Sequence, residues 1–438
     1  MTQGAEAAGA SAGGFLHTFL GRLVQVRSGE APVLGWAWLY IFSVLSSYYI
    51  MRPIRDQMGV AGGVNNLQWL FTGTLIGMLL LNIPYGFLVK TLPRTRFITV
   101  TYRFFAANIL LFALVLHFAD SAQTIWVGRA FFIWISVFNL FVVSVFWALI
   151  VDTFNSEQGK RLFGFIAAGA TIGAITGSSI TASLARHVPT PLLLVGAIVL
   201  LEIAVFSVRH LSRLSEALNA RPQEAASQPV GGNVLAGITH PFRSAYLANV
   251  SLFILLFAIT ATFLYFQQAS LVRDNFHDRG AQTAFFAQID LAVNVITLIV
   301  QLFFTGRIVG LLGVGVTLAI LPALTLLGFG VLAALPAVST LVVFQVLRRS
   351  SDYAIARPTR EVLYTVLPRE DRYKAKSFID TVVYRGGDQI GAWTYASVAM
   401  TGFGSALMAA VAIALAALWL FNGLWLGRRQ ALLASQKS

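Results

Sequence analysis

The sequence predicts an all-α polytopic membrane protein, with twelve transmembrane helices arranged as two six-helix pseudo-repeats. Three observations predict this. Of 438 residues, 57% are hydrophobic and only 11% charged, with a mean hydropathy of +0.74, whereas an ordinary soluble chain carries about 25% charged residues. Twelve stretches reach the roughly 20 apolar residues that cross about 30 Å of hydrocarbon. The longest polar break falls near the middle of the chain. With no cysteine at all, disulfides, thiolate metal sites, Cys nucleophiles and Fe–S clusters are excluded.

The spans fall in two sets. The first is 33–54, 67–89, 97–118, 125–150, 162–184 and 189–208. The second is 246–268, 282–305, 309–332, 337–362, 376–399 and 402–426. The expected organisation follows: a cytoplasmic N-terminus over 1–32, a six-helix half over 33–209, a cytoplasmic linker over 210–245, a second half over 246–427 and a tail over 428–438. The polar opening MTQGAEAAGA lacks the basic n-region and cleavage site of a signal peptide. In residues 15–27, Phe15, Phe19, Leu20, Leu23 and Val24 share one helical face, the pattern of a short amphipathic helix lying on a membrane surface.

The net charge of +13 would suggest nucleic acid in a soluble protein, but here topology accounts for most of it. With the N-terminus inside, the cytoplasmic side holds 19 Lys and Arg and the outer loops only Arg186, Arg273 and Arg279. The positive-inside rule then puts both termini in the cytoplasm. Nine arginines remain within the spans: Arg52, Arg55, Arg103, Arg129, Arg348, Arg349, Arg357, Arg360 and Arg385.

The two halves share spaced features. Arg55-Asp56 recurs as Arg273-Asp274, Gly169 and Gly173 as Gly387 and Gly391, and Asp152 as Glu370, all at an offset of 218. A common offset near half the chain indicates duplication. Parallel six-helix repeats joined by a cytoplasmic loop are the plan of the major facilitator superfamily of transporters. The loop from Gly86 to Arg96 resembles that superfamily's Gly-rich basic gating loop, with Lys90 where the loop usually carries an acid. Gly169, Gly173 and Gly177 form two GxxxG spacings, and Gly387 with Gly391 a third; small residues so spaced let helix backbones approach closely. The expectation is that these glycines make the close contact between the halves.

A charge at a helix centre costs about 2.5–3.5 kcal/mol on insertion scales, so such residues face a cavity or a partner. In the first span, Arg52 and Asp56 are four apart and can pair, with Arg55 beside them and Pro53 loosening the helix. In the tenth, Arg348 can pair with Asp352 at the same spacing, leaving Arg349 in surplus near mid-membrane. A surplus guanidinium suits phosphate or carboxylate, because its fork donates two parallel hydrogen bonds; pairing with Asp290 or Glu202 is the structural alternative. Arg385 and Asp388 are three apart and can pair. Asp152, Glu157, Lys160 and Arg161 collect where the fourth and fifth spans meet, which is also how a solvated loop would look. Asp290 and Glu202 are lone carboxylates in apolar spans, suited to proton coupling, since burial raises a carboxyl pKa, or to pairing with an arginine.

These residues carry a resemblance. Tyr49 through Asp56 resembles the first-span motif of the ATP/ADP translocase family of plastids and intracellular bacteria, Leu-Arg-Thr-Leu-Lys-Asp. Asp152 through Gly177 is similar to that family's acidic, Lys-Arg-aromatic, Gly-rich junction. The strongest match is Pro358-Thr359-Arg360-Glu361-x-x-Tyr364, followed by Lys374-x-Lys376-x-x-Ile379-Asp380 and Arg385. The family has Pro-Thr-Lys-Glu-x-x-Tyr and Lys-x-Lys-x-x-Ile-Asp-x-x-x-x-Arg. The resemblance implies a major-facilitator-like fold, nucleotide exchange, and functional charges at Arg55, Glu157, Glu361 and Lys376. The chain departs in having Arg at 55 and 360 where the family has Lys, and Pro53 where it has Thr.

The expected function is secondary transport of an organic anion, of nucleotide type, by alternating access in a bacterial inner membrane. Arg52, Arg55, Arg348, Arg349, Arg385, Tyr49, Lys376 and Glu361 are the expected substrate-binding residues. Asp56, Asp290, Glu202, Asp352, Asp380 and Asp388 are expected in proton coupling or ion pairs, and Glu157, Lys160, Arg161 and Lys374 in gating. Two other readings stay open: a proton-coupled carrier or exporter of another phosphorylated or carboxylated metabolite, and a membrane scaffold without transport, in which every intramembrane arginine is paired. No cofactor, metal or nucleic-acid partner is expected, and the chain is expected to be a monomer. No P-loop G-x-x-x-x-G-K-[ST] and no metal-spaced histidines support an enzyme.

Overall fold

The computed structural model describes residue 27 and residues 29–154, 156–218, 244–367, 375–376, 378–401 and 404–436; the expected amphipathic helix at 15–27 lies almost wholly outside them. Apart from short turns, the described residues are helical. The helices are α1 (Glu30–Ala61), α2 (Leu67–Thr91), α3 (Arg94–Phe118), α4 (Ser121–Thr153), α5 (Ser156–Leu184), α6 (Thr190–Leu218), α7 (Ala245–Asn275), α8 (Arg279–Phe303), α9 (Thr305–Ala334), α10 (Val338–Ser351), α11 (Tyr384–Met400) and α12 (Gly404–Ser435). α10 continues through one π turn, Asp352–Ala356, into a further helical segment, Arg357–Leu363, and a second π turn, Ile379–Val383, leads into α11. The expected spans thus recur as helices. Several boundaries move: α1 runs on to Ala61 and α7 to Asn275, α6 runs on to Leu218, inside what the sequence marks as linker, and α12 extends to Ser435.

Ten of these helices are long and apolar enough to cross a membrane, among the described residues. The two that fall short are α10 and α11. They carry Arg348, Arg349, Arg385 and Asp388, so the segments least apolar by composition are those on which the intramembrane charge is concentrated.

The chain divides into two compact units. One comprises Met1–Met58, Ile76–Ala226 and Thr283–Gln288; the other comprises Gly59–Leu75, Ser227–Gln282 and Ile289–Ser438. In the first, α5 lies against α1 along the glycine stripe. A Cβ at Gly173 or Gly177 would fall on the carbonyl oxygens of Phe42 and Ser46, and one at Gly169 on the Trp38 ring. The approach is sealed by hydroxyls: Ser46 Oγ donates to the Gly173 carbonyl at 3.0 Å and Thr181 Oγ1 to that of Ile50 at 3.2 Å. The core of the same unit holds Tyr40, Tyr102, Phe131, Phe138 and Phe146, all fully buried.

The second unit repeats the arrangement. A Cβ at Gly387 would press on Leu255 and Ala258, and one at Gly391 on Ile259 and Thr262, so α11 lies on α7 as α5 lies on α1. The repeated arginine–aspartate dipeptides also adopt one local geometry, Arg55 pairing with Asp56 at 2.6 Å and Arg273 with Asp274 at 2.9 Å. The glycine stripes therefore do their packing inside each unit, and the expectation that they join the halves is corrected. α9 bends at Gly313, whose φ of 68° favours a residue without Cβ.

Replacing Gly173 by leucine is expected to cost at least the roughly 1–3 kcal/mol typical of overpacking, because backbone oxygen blocks the added carbons. Gly196→Leu, where nothing lies within 4 Å, should stay within about 0.5 kcal/mol of wild type. Thermal unfolding of the two purified variants in detergent compares them directly.

Candidate functional site

Within the first unit, Arg55 on α1 is held by three contacts. Its Nε and Nη2 donate to Asp56 Oδ1 at 3.0 and 2.6 Å, Nη1 reaches Ser136 Oγ on α4 at 3.3 Å, and its guanidinium lies 5.0 Å from the Phe132 ring. Arg52 lies 5.5 Å over the ring of Tyr49, which is itself buried. α1 continues unbroken through Pro53, so the proline does not interrupt the helix that carries this cluster. At the start of the same helix, Arg161 donates to both carboxylate oxygens of Glu30, at 3.0 and 3.3 Å, and Arg27 pairs with the exposed Glu157 at 2.7 Å. Of the expected gating group, Arg161 and Glu157 are thus tied to the start of α1. The Lys160 side chain and Lys374 lie outside the described residues.

The second unit gathers the larger set. Asp290 on α8 pairs with Arg349 on α10 at 2.7 Å, with exposures of 2% and 14%; Arg349 is not the surplus charge. Nor does Asp352 pair with Arg348. It pairs with Arg357, whose Nε lies 3.0 Å from Oδ2 and whose guanidinium lies 4.4 Å over the Tyr353 ring.

The reason lies in the π turn. In an α-helix, residues three or four apart face each other, but through Asp352–Ala356 the backbone bonds run five residues, Arg357 N to Asp352 O, so the fifth residue moves into place. Pro358 explains the location, since it has no N–H for the Ala354 carbonyl. Thr305 Oγ1 supplies that bond at 2.7 Å, and Gln301 Nε2 donates to the Tyr353 carbonyl at 3.2 Å. The turn is held in place by the C-terminal end of α8 and the first residue of α9.

Arg348 is 3% exposed and makes no ion pair among the described residues. It donates to Thr325 Oγ1 at 3.2 Å, Thr260 Oγ1 at 3.1 Å and the Phe257 carbonyl at 3.2 Å, with the Phe257 ring 5.2 Å away. One turn earlier on α10, buried Gln345 donates to buried Gln268 on α7. On α11, Arg385 pairs with Asp388 at 3.1 Å, and Thr262 bonds the other oxygen of that carboxylate at 3.5 Å.

The residues of the long motif come together. Lys376 hydrogen-bonds Glu361 and lies 5.7 Å over the Tyr364 ring, and Arg360 stands 3.9 Å from Asp380. Two oppositely signed pairs therefore brace the segment Arg357–Leu363 against the stretch that leads into α11. Burial, with the Asp380 carboxylate nearby, pushes the Tyr364 hydroxyl above its ordinary range. Arg357 and Arg360 are the charged residues here that are not among the expected site residues; Pro358, between them, is the available signal. A cavity of about 360 Å³ lined by Gln68, Phe266, Ser270, Arg273 and Tyr395 had no sequence signal, since its residues come from three separate helices.

Glu202 is elsewhere. It faces outward on α6, 3.7 Å from Arg103 on α3, with side chains 46% and 54% exposed. It is neither lone nor interior.

This geometry can be set beside known proteins. An ADP,ATP carrier protein of Chlamydia muridarum is 22% identical over 81% of this chain and 79% of its own length. Another, from Chlamydia trachomatis, is 21% identical over the same shares. The chain is similar to the ADP,ATP carrier proteins. No protein-family model matches it. Among solved structures, a bacterial homologue of the iron transporter ferroportin superposes with a TM-score of 0.65 at 12% identity, covering 90% of this chain and 98% of the other. A POT family peptide transporter gives 0.62 at 13% identity, covering 92% and 97%. The fold is therefore that of the major-facilitator-like transporters, as the duplicated six-helix plan predicts, and the resemblance to the carrier family holds for most of the chain.

Removing one member of the Asp290–Arg349 pair should leave a buried charge uncompensated, at a cost of about 3–5 kcal/mol. The Asp290→Asn/Arg349→Gln double variant should lose clearly less than the two single losses added together. A double-mutant cycle by chemical unfolding in micelles measures that difference.

Proposed function

We propose that the chain is a secondary transporter that exchanges organic anions of the nucleotide type across a bacterial inner membrane, with both termini in the cytoplasm. The observation that carries this is the gathering of Arg357, Arg360, Glu361, Lys376, Asp380 and Arg385 in the second unit, on the helical segment that follows α10 and on the stretch that leads into the start of α11. The named similarity is to ADP,ATP carriers, and the motif they share with this chain by resemblance spans these residues.

In this reading, phosphate is bound by the guanidinium groups that retain exposure. Arg357, at 49% side-chain exposure, and Arg385, at 33%, each hold one carboxylate and keep donors to spare. Tyr353 and Tyr384 flank them, with Arg385 5.7 Å over the Tyr384 ring, and offer aromatic faces to a base. In the first unit, Arg52, Arg55 and Tyr49 form a separate cluster of the same chemistry. Arg349 and Arg348 act from behind, the first neutralising Asp290, the second fastening α10 to α7 and α9. Exchange suits such a site, because the carboxylates that hold the arginines when empty are displaced by phosphate and recover them on release.

Proton coupling is the second reading, favoured by one observation: Asp290 is almost fully buried within the membrane-spanning helices. A non-transporting scaffold, in which every intramembrane arginine is matched by a carboxylate, fits less well, because Arg348 is satisfied by neutral groups alone.

Proteoliposomes carrying Arg385→Ala or Arg357→Ala should take up labelled ATP at least tenfold more slowly than wild type. The Asp290→Asn/Arg349→Gln variant, which removes no exposed donor, should retain most of the rate. Wild-type uptake in both alanine variants would remove these arginines from the site.

A further inference from the structure

We propose that the outward face of α3 and α6 is the contact surface for a second copy of this chain, centred on Arg103 and Glu202. Both side chains are about half exposed and stand 3.7 Å apart, beyond hydrogen-bond reach, and neither makes a hydrogen bond within the described structure. Around them, Val100, Phe104 and Leu111 of α3 and Val199, Ile203 and Phe206 of α6 are all exposed. The charges therefore sit in an apolar surface of the kind that meets lipid.

Their depth makes this costly. Glu202 is the middle residue of the apolar stretch Thr190–Leu214, and Arg103 lies within four residues of the middle of Thr95–Phe118, about 5 Å along the helix. Charged side chains at that depth are expensive and, where they persist, face a partner or water. Lipid headgroups lie at the interface, too far from mid-membrane to solvate this pair.

The charge arrangement selects the partner. A two-fold axis along the membrane normal preserves depth, so only groups at one depth can meet across it. Arg103 and Glu202 share a depth, and the axis reverses their lateral order, bringing each arginine opposite the other copy's glutamate. The patch is thus self-complementary, as an isologous dimer contact requires. Four alternating charges would then satisfy one another where two are now loosely paired. This dimer replaces the monomer expected from the sequence and is independent of the transported substrate.

The test is the mass of the full-length protein in lipid nanodiscs, with single-site cysteine crosslinking. The cysteine-free chain gives a clean background. Wild type is expected at twice the chain mass of 47.6 kDa. Arg103→Glu, which leaves two acids on the patch, and Arg103→Leu/Glu202→Leu, which suits lipid and retains the fold, should both shift at least tenfold toward monomer. The charge swap Arg103→Glu/Glu202→Arg should remain dimeric, because it keeps the complementarity. Phe104→Cys should crosslink between copies, whereas the exposed Leu311→Cys on α9 should not. A monomeric wild type, a double-leucine variant that dimerises as well as wild type, or bound lipid in place of a second copy on that face would each overturn the proposal.

Discussion

A guanidinium carried into hydrocarbon has to be matched, because it does not lose its proton there and water is not at hand. That constraint organises the second unit. Arg349 is matched by the Asp290 carboxylate, Arg357 by Asp352, Arg385 by Asp388 and Arg360 by Asp380, while Arg348 uses two hydroxyls and a carbonyl instead. Each match fixes one helix against another or one turn within a helix. The helices that carry them are consequently tied to their neighbours where their composition alone would make them poor membrane segments.

The π turn at Asp352–Ala356 shows how backbone and charge are coupled. Pro358 takes away one backbone donor, Thr305 restores the bond from outside the helix, and the spare residue in the turn rotates Arg357 onto Asp352. A side-chain pair thus depends on a proline six positions along from the acid, and on Thr305, 49 residues before the carbonyl it serves. The second π turn, at Ile379–Val383, carries Asp380, the partner of Arg360, and leads into α11 just before Arg385. Both π turns among the described residues therefore lie beside the charges proposed to bind anion, as π turns often do at functional positions.

Much of the fold was legible in the sequence, because hydropathy and the 218-residue offset report directly on span number and duplication. The glycine stripes were legible as close contacts, but spacing names only the helix that carries them and not the backbone they meet, so their partners α1 and α7 had to come from the structure. The site was legible by residue type and motif, less so by pairing. An i,i+4 rule joins Arg348 to Asp352, and the backbone is regular between them, but the Arg348 side chain is taken by Thr325, Thr260 and the Phe257 carbonyl from distant helices, which local spacing does not signal. Whether Glu202 points inward is likewise unreadable from one apolar span without knowing which face of α6 the bundle covers. Asp290 finding Arg349 is a contact across 59 positions, which no local pattern encodes.

The central claim is that these matched arginines serve an anion that crosses the membrane in exchange for another. Its most direct test is uptake of labelled ATP into proteoliposomes loaded with ADP, compared with vesicles containing no nucleotide. The account predicts saturable uptake that depends on the internal ADP and is competed by unlabelled nucleotide outside. Uptake at the same rate into empty vesicles, or none above protein-free liposomes, would contradict it.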